Sequence, residues 1–158
     1  MSVLRRLTVL SAVVAMLFVM TVPTQASHGI RVTSGAFQTL PGGADLGYQV
    51  SGRAIMVRTP DWTTVSVTVR GLDANTVYPT HVHNAPCSNT PAGGSHYQNE
   101  VGGPVDAVNE LWPIVTTDAS GHGVGYAWHG FGVRRDAMSV VIHYPANTAI
   151  RLACVDLG

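Results

Sequence analysis

His81 and His83, separated by Val82, are the residues whose type and spacing most directly suggest chemistry in this chain. In a β-strand alternate side chains share a face, so the two imidazoles would stand together while Val82 points the other way. His96 follows thirteen residues later, and His143 lies near the C-terminus. Four imidazoles so distributed predict one metal site. Three or four nitrogen donors without a thiolate favour copper(II) among the first-row divalent ions. The alternative for the pair taken alone is two solvated histidines on the outer face of a strand.

The elements that must position these residues lie behind an N-terminal stretch of different character. Arg5 and Arg6 precede a mostly apolar run from Leu7 to Val22, which is followed by Pro23 and the small-residue stretch ending at Ala26. This pattern predicts a cleaved export signal over residues 1–26. The run is shorter than the roughly 20 residues that span a bilayer, so an N-terminal anchor is the disfavoured alternative, and no stable membrane anchor is expected after cleavage. The expected location is extracellular, periplasmic or within the cell envelope. Loss of Arg5 and Arg6 leaves seven arginines against nine acids, a slightly negative balance unlike that of a nucleic-acid-binding protein. Cys87 and Cys154 are the only cysteines. In an oxidising compartment they predict a disulfide rather than two free thiols. In the chain-entropy picture, closing so long a loop is worth about 4 kcal/mol. Their use as metal ligands is disfavoured, because they do not form a Cys-x-x-Cys pair.

The rest of the chain reads as short strands between turn clusters, with no helical period. Val65, Val67 and Val69 alternate with Ser66, Thr68 and Arg70, the pattern of a half-buried strand. Further strands are predicted within residues 46–57, 78–83, 111–117, 124–130, 138–143 and 150–154. Asp118 to Gly121 is a hairpin signal between two of them. The expected class is all-β, a sandwich or barrel of about eight antiparallel strands. Residues 27–45 supply an N-terminal segment and first strand, and residues 46–158 the main domain. Residues 84–109 are rich in Pro, Gly, Ser and Asn and read as one long loop. Loops of that length in compact domains are commonly functional.

In order along the chain, Gly71-Leu72, His81-Val82-His83, Cys87, Ala92 through Tyr97, the turn at Asp118 to Gly121, Val140 through His143, and Arg151 through Cys154 resemble the copper/zinc superoxide dismutase family. The resemblance covers roughly Leu46 to Gly158. It implies an eight-stranded Greek-key β-barrel whose long loops hold the metals. It also implies that His81, His83 and His143 are copper ligands and that His96 matches the histidine bridging copper to zinc. Cys87 and Cys154 match the family's disulfide. Arg151 matches the arginine that attracts the anionic substrate, a task suited to an always-charged guanidinium.

Two departures matter. No histidine stands between Tyr97 and Gly121, where the family places zinc ligands, and Val101, Ala107 and Glu110 occupy that region. Only seven residues separate His143 from Arg151, where zinc-containing members carry a long loop. Both features resemble the copper-only members, so a zinc site is expected to be absent. Glu110 is then the candidate to orient His96, with Asp106 and Glu100 as competitors. The implied activity is conversion of superoxide to dioxygen and hydrogen peroxide, with Arg151, His96 and Glu110 as the functional residues beside the copper ligands. The alternative is a non-enzymatic secreted protein that binds or buffers copper on the same fold. Oligomeric state is left open.

Overall fold

The computed structural model describes residues 29–157, so the expected export signal lies outside the described residues. Ten strands and one short helix follow in chain order: β1 (Arg31–Ala36), β2 (Gln38–Thr39), α1 (Pro41–Asp45), β3 (Ser51–Arg58), β4 (Thr63–Arg70), β5 (Val77–Tyr78), β6 (Thr80–His83), β7 (Val115–Thr117), β8 (Gly123–His129), β9 (Ser139–Tyr144) and β10 (Asn147–Asp156). The fold is all-β apart from α1. Every ladder is antiparallel, in a six-stranded sheet ordered β1-β3-β4-β8-β7-β5 and a four-stranded sheet ordered β2-β10-β9-β6. Among the described residues no ladder joins the two sheets, so a closed barrel is not formed. β1 pairs with β3 and β2 with β10, so residues 31–39 pack onto the strands that follow them.

The core lies between the sheets. Ala54 and Met56 of β3 and Val65, Val67 and Val69 of β4 meet Val82, Val140, Ile142 and Leu152 from the other sheet. In β4 the alternate positions Ser66, Thr68 and Arg70 are exposed, as period-two patterning demands. The turn from Asp118 joins β7 to β8, and the Asp118 carboxylate accepts hydrogen bonds from the Ser120 and His122 amides. Gly121 has φ +75°, and a Cβ there would lie 2.3 Å from the Leu72 carbonyl oxygen, so both conformation and space require glycine.

Two predicted strands start later than expected, each for a local reason. Ahead of β3, Pro41 opens α1, and the turn through Gly47 delays extension until Ser51. Ahead of β7, Pro113 cannot donate to a ladder, and regular pairing begins only at Val115. The irregular segment between β6 and β7 therefore runs from Asn84 to Ile114, longer than predicted.

β6 and β9 differ from the other strands in having nearly every residue buried. One face contributes Val82, Val140 and Ile142 to the core. The other carries His81, His83, Val141 and His143 and is covered by the 84–114 segment. That segment docks through an isolated bridge between His83 and His96, with the Tyr97 amide donating to the Val82 carbonyl at 2.9 Å. The disulfide between Cys87 and Cys154 ties the same segment to β10.

Candidate metal centre

Strand alternation puts His81 and His83 on one face of β6. The β6–β9 register sets His81 opposite Val141, so His143, two residues on, reaches the same face. The covering segment adds His96 from above. One potential ligand atom from each of the four lies within 4.8 Å of all the others. Ring centroids of His81 and His96 are 4.1 Å apart, and those of His83 and His143 are 5.4 Å apart. His81, His83 and His143 are buried, whereas the side chain of His96 is 28% exposed.

Hydrogen bonds outside the cluster select which nitrogen each ring turns inward. His83 Nδ1 lies 3.3 Å from the Gly94 carbonyl and His143 Nδ1 lies 2.6 Å from the Thr148 carbonyl. A carbonyl only accepts, so each Nδ1 carries the proton and each Nε2 keeps a lone pair. Those two Nε2 atoms are 3.2 Å apart, lone pair toward lone pair. Two nitrogens about 2.0–2.1 Å from a shared cation and near the tetrahedral angle would be separated by roughly 3.3 Å. His81 Nδ1 is buried and has no hydrogen-bond partner. A buried nitrogen left unpaired is costly, and a cation would satisfy it. The cluster can therefore hold a metal ion.

His96 has a different support. Its Nδ1 lies 2.7 Å from Oε2 of Glu110, a carboxylate only 1% exposed. Trp112 Nε1 donates to the same oxygen at 2.8 Å, and Gln98 Nε2 donates to Oε1 at 3.3 Å. Three donors thus offset the burial of the carboxylate. The competitors are elsewhere: Asp106 caps the Val108 and Asn109 amides, and Glu100 is exposed. Val101 and Ala107 are exposed on the same segment, and Val101 lines the same cavity as His96 and Glu110.

The electrostatics follow from burial. Desolvation, with charge on His96 and His143 adding to it, pushes His83 down to about 2 and His81 down to about 3. Burial likewise lowers His143 to about 4, against the upward pull of its bond to the Thr148 carbonyl. All three imidazoles are neutral near pH 7, the form that binds a metal. Arg151 faces His143 across the β9–β10 ladder and donates to the Ala92 carbonyl. Its charge contributes to lowering both His83 and His143, so it lies within electrostatic reach of the cluster.

The exposed side of His96 opens on a cavity of about 410 Å³ whose wall includes Glu110, Gln98, Asn84 and Arg134. Trp112 and Gln98 were not expected at the site. Their only sequence signal is spacing, since each stands two residues from a site residue. Glycine permits the tight covering of His83: Gly93 has φ +81°, and a Cβ there would lie 2.8 Å from Val141 Cγ2 and 3.2 Å from His83 Cβ. Comparison with protein-family models and with curated proteins returns no match.

Proposed function

We propose that the four-histidine cluster is a copper site and that the protein is an exported, copper-dependent superoxide dismutase resembling the copper-only members of that family, on a Greek-key arrangement of its strands. The observation that carries this reading is the inward set of nitrogens on His81, His83, His96 and His143, with Arg151 beside them. All-nitrogen, thiolate-free coordination suits copper. The disulfide is compatible with an oxidising compartment. No zinc is invoked, because the region around Val101, Ala107 and Glu110 offers none of the family's additional histidines.

Copper held there would supply the one-electron chemistry that turns two superoxide ions and two protons into dioxygen and hydrogen peroxide. The chain's own residues would do the rest. His83 and His143 are held in one tautomer by the Gly94 and Thr148 carbonyls, and His96 by Glu110. His96 alone touches both the cluster and the open cavity, so it is the group able to carry a proton inward at Nε2. Arg151 would draw the anion in.

A second reading, copper storage without turnover, takes its support from the burial of three of the four histidines. Superoxide dismutation by the purified mature protein, loaded with copper, zinc or both, separates the two. Fast activity that needs copper, ignores zinc and disappears in His143→Ala supports the enzyme. Tight copper binding without dismutation selects the storage reading. Arg151→Ala should slow the reaction and flatten its salt dependence, and unchanged kinetics would remove Arg151 from the site.

A further inference from the structure

Arg31, Arg58 and Arg135 line one cavity of about 360 Å³, together with Met138, Asp156 and Leu157. None of the four clustered histidines lines it. Arg58 continues the inward alternation of β3 after Ala54 and Met56, so the strand drives a guanidinium into a position where a core residue would normally stand. It is 8% exposed. Its Nη2 reaches only two neutral acceptors, Thr33 Oγ1 at 3.3 Å and the Ala137 carbonyl at 3.5 Å, and its Nε is buried without a partner. The β1–β3 register sets Arg31 directly opposite it, placing two positive charges side by side. Burial and the Arg31 charge both lower the Arg58 guanidinium from its usual range.

No ion pair among the described residues compensates. The ion pairs there are His96–Glu110 and Arg134–Asp136, and neither includes one of these three arginines. Asp156, the acid on the wall, accepts the Cys87 amide at 2.7 Å. Three guanidiniums around one cavity against one aspartate leave an excess of positive charge and an unsatisfied buried donor. Such an arrangement is costly when unpaired, and it matches an anion with several acceptor oxygens.

We propose that this cavity binds a tetrahedral oxyanion, phosphate or sulfate, either free or as an ester head group. Calorimetric titration of the full chain with inorganic phosphate, sulfate and glycerol phosphate, at constant ionic strength set with chloride, tests it. Saturable binding of one oxyanion per chain is expected. Arg31→Gln and Arg135→Gln, both at exposed positions, should each weaken it by about tenfold, the effect of losing one charge-assisted contact. Arg58→Met should abolish it, and where that variant does not fold, the two exposed variants carry the test. His83→Ala should leave the affinity unchanged. Tighter binding of glycerol phosphate than of inorganic phosphate identifies an ester head group as the ligand, and the reverse identifies the free ion. Absence of saturable binding above chloride, or affinity unaltered in both Arg31→Gln and Arg135→Gln, overturns the proposal.

Discussion

β4 and β6 both send alternate residues into the same core, yet their opposite faces have different fates. Outside the core, β4 shows Ser66, Thr68 and Arg70 to solvent. β6 turns His81 and His83 outward and has them covered, so that all four of its residues are buried. The cover is the 84–114 segment, held by the His83–His96 bridge and by the disulfide to β10. One strand thus yields an ordinary wetted sheet surface. The other yields a dry chamber in which imidazoles stay neutral and their nitrogens must find another partner.

The same contrast recurs inside the site. His81, His83 and His143 stand on paired strands and are buried, while His96 sits on the covering segment, partly exposed, with its Nδ1 held by Glu110. The strand-borne three form a rigid wall, and His96 is the side from which solvent reaches the cluster. Precision and access are therefore assigned to different elements.

The largest expected consequence of the dry chamber is acid instability of the metal-free protein. The folded-state values of His143, His81 and His83, about 4, 3 and 2, lie below the value of about 6.5 for an unfolded histidine. Below about pH 6.5 the unfolded chain therefore binds protons that the folded chain refuses, and stability falls as pH falls. Each histidine contributes a slope of up to ~1.4 kcal/mol per pH unit, or ~4 for the three together, until the folded protein itself begins to protonate near pH 4. Urea midpoints of metal-free protein at pH 7, 6 and 5 should drop steeply, and a flat series would mean that the histidines are not held neutral by burial.

Removing a rigid-wall ligand comes next. His83→Ala should lower copper affinity, read by chelator competition, by more than the 10–100-fold typical of losing an outer partner. Ser66→Ala, at the corresponding wetted face of β4, should leave both affinity and stability within about 0.5 kcal/mol. Equal effects of the two substitutions would erase the distinction between the two faces.

Among substitutions at the site itself, the smallest effect belongs to the His96 side. Glu110→Gln keeps the shape and an acceptor for His96 but removes the negative charge, and about 10-fold weaker copper binding is expected, with the rigid wall unaffected. A loss as large as that of His83→Ala would show that His96 is as rigidly required as the strand histidines.

Much of this was legible in order along the chain. The valines of β4 announce a strand, and His81-Val82-His83 announces two ligands on one face, because both signals depend only on period-two geometry. The pairing of Cys87 with Cys154 follows from their being the only two cysteines in a chain expected to be exported. Residues 31–39 were harder to read: β1 gains its place by pairing with β3, and the two-residue β2 by pairing with β10, neither having strong alternation of its own. Trp112 and Gln98 became site residues only because the covering segment folds back at the Gln98–Glu110 bridge and brings their donors to one carboxylate.

From sequence alone, then, came the all-β class, the pair of histidines on one strand face and the disulfide, since alternation and cysteine count are local or compositional properties. The sequence also pointed to His96 as a fourth ligand and to Glu110 ahead of Asp106 and Glu100, but only the tertiary structure showed that the covering segment brings His96 onto the strand histidines with Glu110 at its Nδ1, and that Arg58 is buried beside Arg31 and Arg135. Each of those outcomes rests on where a long irregular segment or a distant strand comes to lie, and that is settled by packing and hydrogen bonds between residues far apart in the chain.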